Sequence, residues 1–152
     1  MLFAQGAAIG AEAFPYCGLV SFGENTFSRF REVNFQGNNH TNILEFTGGN
    51  HVFMDSFEAP DPQQTFVGKK TLSVIRVAGD ANVAFRGAMR IGVTSGTFGD
   101  TSLRTFRLSA EDGGYLAVSN TLTQQNAGRL DLEIKNGAVM DLASNISLAS
   151  PA

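Results

Sequence analysis

Apolar and polar residues alternate through Leu130–Leu148 on both sides of Asn136-Gly137. A period of two marks half-buried strands, and the Asn-Gly pair between them marks a tight turn, because both residues tolerate positive φ. A softer break at Ala143-Ser144-Asn145 precedes a third short strand, Ile146 to Leu148. The unit reads strand a, glycine turn, strand b, corner, strand c.

The unit recurs. Strand a is expected at Leu44-Glu45-Phe46, Ile75-Arg76-Val77, Phe106-Arg107-Leu108 and Leu132-Glu133-Ile134. Turns follow at Gly48-Gly49, Gly79-Asp80, Gly113-Gly114 and Asn136-Gly137. After each turn comes one frame, apolar-x-apolar-x-x-x-apolar: Val83, Phe85, Met89, then Leu116, Val118, Leu122, then Met140, Leu142, Ile146. The first copy, His51, Phe53, Phe57, departs from it by a histidine. Equivalent b-strand residues are spaced by 32, 33 and 24 residues (Phe53, Phe85, Val118, Leu142). Copies of one supersecondary unit at such spacing predict the rungs of a solenoid. The same glycine turns also allow antiparallel hairpins, since Asn-Gly between alternating strands is a strong hairpin signal. The expected fold is all-β, a short parallel β-helix of about four rungs, with an antiparallel sandwich or jelly roll as the alternative.

Residues 1–25 show little periodicity beyond Leu19-Val20-Ser21-Phe22 and are expected to form an N-terminal arm, with the solenoid domain at 26–152. Phe27–Phe35 fits a degenerate first rung or a cap. Extra length falls at one corner, so two long loops, 58–71 and 94–102, are expected to leave the same edge of the coil. Loops on a rigid scaffold are common sites of binding.

Composition narrows the functional classes. The chain has 152 residues, a single-domain length. Its charged fraction, 16%, is low against the roughly 25% of ordinary soluble domains. A net charge of −3 with scattered basic residues gives no footprint for nucleic acid. No Lys or Arg precedes Arg29, and the apolar run at the amino terminus is short and rich in glycine, so neither a secretory signal nor a membrane span is expected. Cys17 stands alone between apolar neighbours and reads as a buried thiol.

Candidate chemistry is sparse. Asp55, Glu58 and Asp61 form the one carboxylate cluster, which glycan hydrolysis would need held about 5–9 Å apart. A solvated loop beside Pro60 and Pro62 is the expected reading, given the cost of burying unpaired charge. His40 and His51 are too few and too far apart for a metal site, and His51 reads as a hydrogen-bonded core residue. No nucleophile, zinc or phosphate-loop motif occurs, so neither an enzyme nor a cofactor is expected.

The stretch 133–148 resembles a rung of parallel β-helix proteins, such as autotransporter passenger domains and phage tailspikes. The likeness extends over roughly residues 43–148. The missing signal favours the virion side, where capsid decoration (cement) proteins are similar in size and commonly trimeric. The resemblance therefore implies a non-enzymatic virion protein, assembled in the host cytoplasm and bound to the major capsid protein or another virion protein. A glycan-binding or glycan-cleaving adhesin or tailspike is the alternative, expected to show a groove lined by Asp55, Glu58 and Tyr115. Separately from the resemblance, open solenoid ends and a surplus of phenylalanine predict a homo-oligomer, most simply a trimer. Its partner contacts are expected at aromatics outside the frame, Phe3, Phe14, Tyr16, Phe22, Phe66 and Phe98.

Overall fold

The computed structural model describes residues 2–4, 7–9, 18–30, 33–35, 41–59, 71–91, 104–124, 129–142 and 145–148. The described residues are all-β, with no helix and with every strand pairing parallel. Sheet 1 runs β1 (Leu2–Ala4), β4 (Phe27–Phe30), β7 (Asn50–Phe53), β10 (Asn82–Phe85), β13 (Tyr115–Val118), β16 (Val139–Leu142). Sheet 2 runs β8 (Phe57–Ala59), β11 (Met89–Ile91), β14 (Leu122–Gln124), β17 (Ile146–Ser147). Sheet 3 runs β3 (Gly18–Phe22), β6 (Thr41–Phe46), β9 (Thr71–Ala78), β12 (Arg104–Glu111), β15 (Arg129–Ile134). β2 (Ala7–Ile9) and β5 (Val33–Phe35) pair with each other.

The glycine turns are corners rather than hairpins, so the antiparallel sandwich or jelly roll is not what forms. β15 and β16 flank Asn136-Gly137 yet lie in different sheets. Left-handed residues make the bend, among them Gly49 (φ 84°), Gly79 (φ 60°) and Gly113 (φ 91°), with Asn136 and Gly137 at 50° and 73°. A local bond closes the corner, as from Gly114 N–H to the Glu111 carbonyl at 2.9 Å. The next amide then donates to the preceding turn of chain: Asn82 to Gly49 at 2.8 Å, Tyr115 to Ala81 and Val139 to Gly114 at 2.9 Å. Hydrogen-bonding capacity at each corner is thus satisfied between turns, which a two-strand hairpin does not allow.

Register follows the apolar frame. His51, Val83, Leu116 and Met140 are lateral partners, as are Phe53, Phe85, Val118 and Leu142. Phe57, Met89, Leu122 and Ile146 align in sheet 2. In sheet 3, one copy of strand a differs from expectation by two residues. Leu44 and Ile75 align with Leu108, not Phe106, and then with Leu132. The turn fixes this: two residues separate the inward strand end from the first left-handed residue, both from Val77 to Gly79 and from Ala110 to Asp112.

Side chains from all three sheets meet in one core. Phe30, Phe53 and Phe85 stack along sheet 1, with centroids 4.7 and 4.2 Å apart and planes inclined by 24° and 14°. Phe46 and Phe57 abut Phe53 edge-on at 6.1 and 5.9 Å.

The boundary expected at residue 25 divides strands that share a sheet. β1 pairs with β4, and β3 pairs with β6 along its length. The described parts of residues 1–25 therefore extend the sheets. Of the two expected loops, residues 60–70 and 94–102 lie outside the described residues, as does Cys17.

Candidate interaction surfaces

Few of the expected site residues converge. Phe22 is half-buried in the core, stacked on Phe46 at 5.3 Å and edge-on to Phe30 at 5.6 Å, because its register partner is inward-facing Phe46. It packs against the core from its edge. Phe3 falls in β1 opposite Arg29. Phe14, Tyr16, Phe66, Phe98, His40 and Asp61 lie outside the described residues. Asp55 is exposed two residues beyond the end of β7, whereas Tyr115 opens β13. They occupy opposite ends of the sheet 1 strands, roughly 15 Å apart at about 3.3 Å per residue, so no groove joins them.

His51 is buried with two partners. Its Nε2–H donates to the Gly48 carbonyl at 2.8 Å, which leaves Nδ1 to accept from the Ser28 hydroxyl at 2.5 Å. Phe22 and Phe46 pack against the ring, with centroids 5.5 and 4.4 Å away. A polar residue is thereby accommodated in an aliphatic frame position. Burial holds the His51 pKa below its ordinary value, opposed by the bond to Gly48. Above about pH 6.5 both the folded and unfolded imidazoles are neutral and the folded state keeps its full stability. As the pH falls below that value the unfolded chain takes the proton first, so stability is lost. The urea midpoint should therefore fall between pH 7 and pH 5. In S28A/H51V, which restores an aliphatic frame residue, that fall should shrink; an unchanged fall would locate the proton elsewhere.

The outer face of sheet 3 is closed by ion pairs. Its column reads Ser21, Glu45, Arg76, Ser109, Glu133. Arg107 lies opposite Val74 and Asp131, so the expected Arg76–Arg107 neighbours are separated by Ser109. Arg76 bridges Glu45 and Glu111, and both interactions raise its pKa. The Ser109 hydroxyl donates to Glu111 at 2.6 Å and, with Arg76 and Lys135, holds the Glu111 carboxyl below its ordinary value. Arg107 sits 3.3 Å from both Asp131 and Glu133. Such exposed pairs contribute about 0–1 kcal/mol each, so the ladder keeps this face solvated and in register more than it stabilises the fold.

Two other surfaces are not closed in this way. At the last described turn, inward-frame residues have no further strand over them among the described residues: Leu132 is 42% exposed, Ile134 58%, Ile146 45%, with Leu148 at 61%. β15, β16 and β17 are also the outermost strands of sheets 3, 1 and 2. The outer face of sheet 1 exposes Phe27, Tyr115 and Val139 in a single lateral column.

A depression of about 430 Å³ lies where that face meets the turns, lined by Glu24, Asn25, Thr26, Phe27, Gly48, Gly49, Asn50 and Asp80. Gly48 and Gly49 present no side chains there, which leaves the gap. Among the described residues no three His, Cys, Asp or Glu side chains are grouped to hold a metal ion, and no helix is long and apolar enough to cross a membrane. Comparison with protein-family models, with curated proteins and with solved structures finds no match to this chain.

Proposed function

We propose that the chain is a non-enzymatic structural protein of a virion, a capsid decoration protein that binds and stabilises the capsid lattice as an oligomer. In this reading the parallel sheets are a short β-helix. Four successive triplets, β6–β8 through β15–β17, are its rungs, and β3–β5 precede them. The observation that carries the reading is the last rung. Four apolar side chains, Leu132, Ile134, Ile146 and Leu148, lie on or next to β15 and β17, two of the three outermost described strands at one end of the stack. Free strand edges next to apolar surface are a template for another protein chain. The contrast with the ion-paired face of sheet 3 supports a surface meant to be covered.

Replacing two of these side chains with lysine, I134K/L148K, tests the reading. Both residues are already exposed, so the unfolding free energy from urea titration should shift by no more than about 0.5 kcal/mol. Binding to shells of the major capsid protein of the virus that encodes the chain, followed by co-sedimentation, should weaken at least about tenfold. A wild-type chain that does not sediment with those shells overturns the capsid reading.

A further inference from the structure

We infer that the outer face of sheet 1 is a self-association surface that pairs two copies of this chain about a twofold axis parallel to the strands. Ser28, Phe30, His51, Phe53, Val83, Phe85, Leu116 and Val118 point inward, so the alternate residues point out. Register aligns these into two columns. Across β4–β16 one reads Arg29, Val52, Ala84, Ala117, Asp141; the other reads Phe27, Asn50, Asn82, Tyr115, Val139; β1 continues the sheet beyond β4, with Phe3 in register with Arg29. At about 4.8 Å per strand each column is roughly 19 Å long. The middle of the first column holds only small or uncharged side chains, between Arg29 on β4, one strand in from the β1 edge, and Asp141 on the outermost strand β16.

The two charges identify the occupant. Arg29 makes no ion pair among the described residues, whereas Arg76, Arg107 and Arg129 all make one. Asp141 accepts the Tyr115 hydroxyl on one oxygen, at 3.2 Å, and has its other oxygen available. A twofold axis along β10 reverses the column of the second copy and keeps the strand direction. Arg29 then meets Asp141 of the other copy at both ends, Val52 meets Ala117, and Ala84 meets Ala84. In the second column Phe27 covers Val139 and Asn50 meets Tyr115. A threefold arrangement with parallel axes would instead set Arg29 level with Arg29, which is why the pair is favoured over the trimer expected from sequence.

The patch covers a few hundred Å² per copy, below the roughly 800 Å² per partner of a standard interface. The pair is therefore reversible and forms at high protein concentration. One contact opposes it: Arg86 continues the outward positions of β10, is exposed, and lies on the axis facing its own counterpart. The inference rests on the homo-oligomer of the proposed function but not on any capsid.

Sedimentation of the full chain over a range of concentrations tests it. R29D and D141R should each weaken self-association at least about tenfold, since each sets like charges together. An equimolar mixture of the two should restore it, because each R29D copy then faces a D141R copy with opposite charges at both ends. R86S should tighten the pair about two- to fivefold by removing the repulsion on the axis. Unchanged urea midpoints keep folding out of the comparison. A mixture as weak as its components overturns the twofold pairing. An oligomer indifferent to all three substitutions overturns it too, while leaving an oligomer built on the exposed last turn. A chain that is monomeric at every concentration overturns both.

Discussion

Replacing Gly49 with alanine is expected to abolish folding, whereas the same change at Gly137 should cost only about 1–2 kcal/mol. Both residues sit at the left-handed position of a corner, with φ of 84° and 73°. A β-carbon in that conformation costs about 1–2 kcal/mol by itself. The surroundings differ. At Gly49 the added carbon would overlap the Thr26 carbonyl oxygen and come within 3.0 Å of the Thr26 nitrogen. Both are backbone atoms of the preceding turn and cannot swing aside. The bond from Asn50 N–H to the same Thr26 carbonyl, at 3.0 Å, would be lost as the corner moved away. At Gly137 nothing lies within 4 Å of the added carbon. Circular dichroism and urea titration of G49A and G137A check the difference. Comparable midpoints for the two would mean that the turns do not pack as described.

The second large effect is in the aromatic stack. F53A should lose about 3–5 kcal/mol, the usual cost of deleting a buried phenylalanine ring. Phe53 is 1% exposed and touches Phe30, Phe46, Phe57 and Phe85, so its removal opens contacts to all three sheets. Neighbours on consecutive strands are fixed by register and cannot close the cavity without breaking a ladder. Domains of this size have about 5–15 kcal/mol in total, so the variant should be marginal at 37 °C. F53L, which fills part of the space, should recover at least half of the loss. Equal midpoints for F53A and wild type would show that the stack contributes little.

Much of the inner frame was legible because the spacing within it is constant, two residues and then four, as in Val83, Phe85, Met89 and Leu116, Val118, Leu122. That is why Val83, Leu116 and Met140 could be aligned from spacing alone. Strand a misled at Phe106-Arg107-Leu108, whose apolar-charged-apolar pattern imitates Ile75-Arg76-Val77. Counting back two positions from Gly79, Asp112 and Asn136, rather than matching pattern, gives the observed register of β9, β12 and β15. The strands within residues 1–25 were hidden for another reason. Leu2–Ala4 and Ala7–Ile9 are three residues each, too short for alternation to show. The outer face of sheet 1 was not legible at all. Ala84, Ala117 and Asn82 look like the ordinary outward halves of amphipathic strands until lateral pairing lines them up.

Parallel pairing between turns also dictates how this chain must come together in time. No two strands joined by a corner are hydrogen-bonded to each other, so a nucleus cannot begin as a local hairpin. The shortest ladder step, Phe27 to Asn50, spans 23 residues, and the longest, Asn82 to Tyr115, spans 33. Closing a loop of that size has nearly the same entropy everywhere, because the cost grows only with the logarithm of length. The slow event is therefore the first docking of two turns, after which each new turn settles on a ready edge. Refolding should show a long lag against a helical domain of equal size and little dependence on which turn is mutated at the periphery. Amide exchange should be slowest in β9, β10 and β12, which have a neighbour on both sides, and fastest in β15–β17.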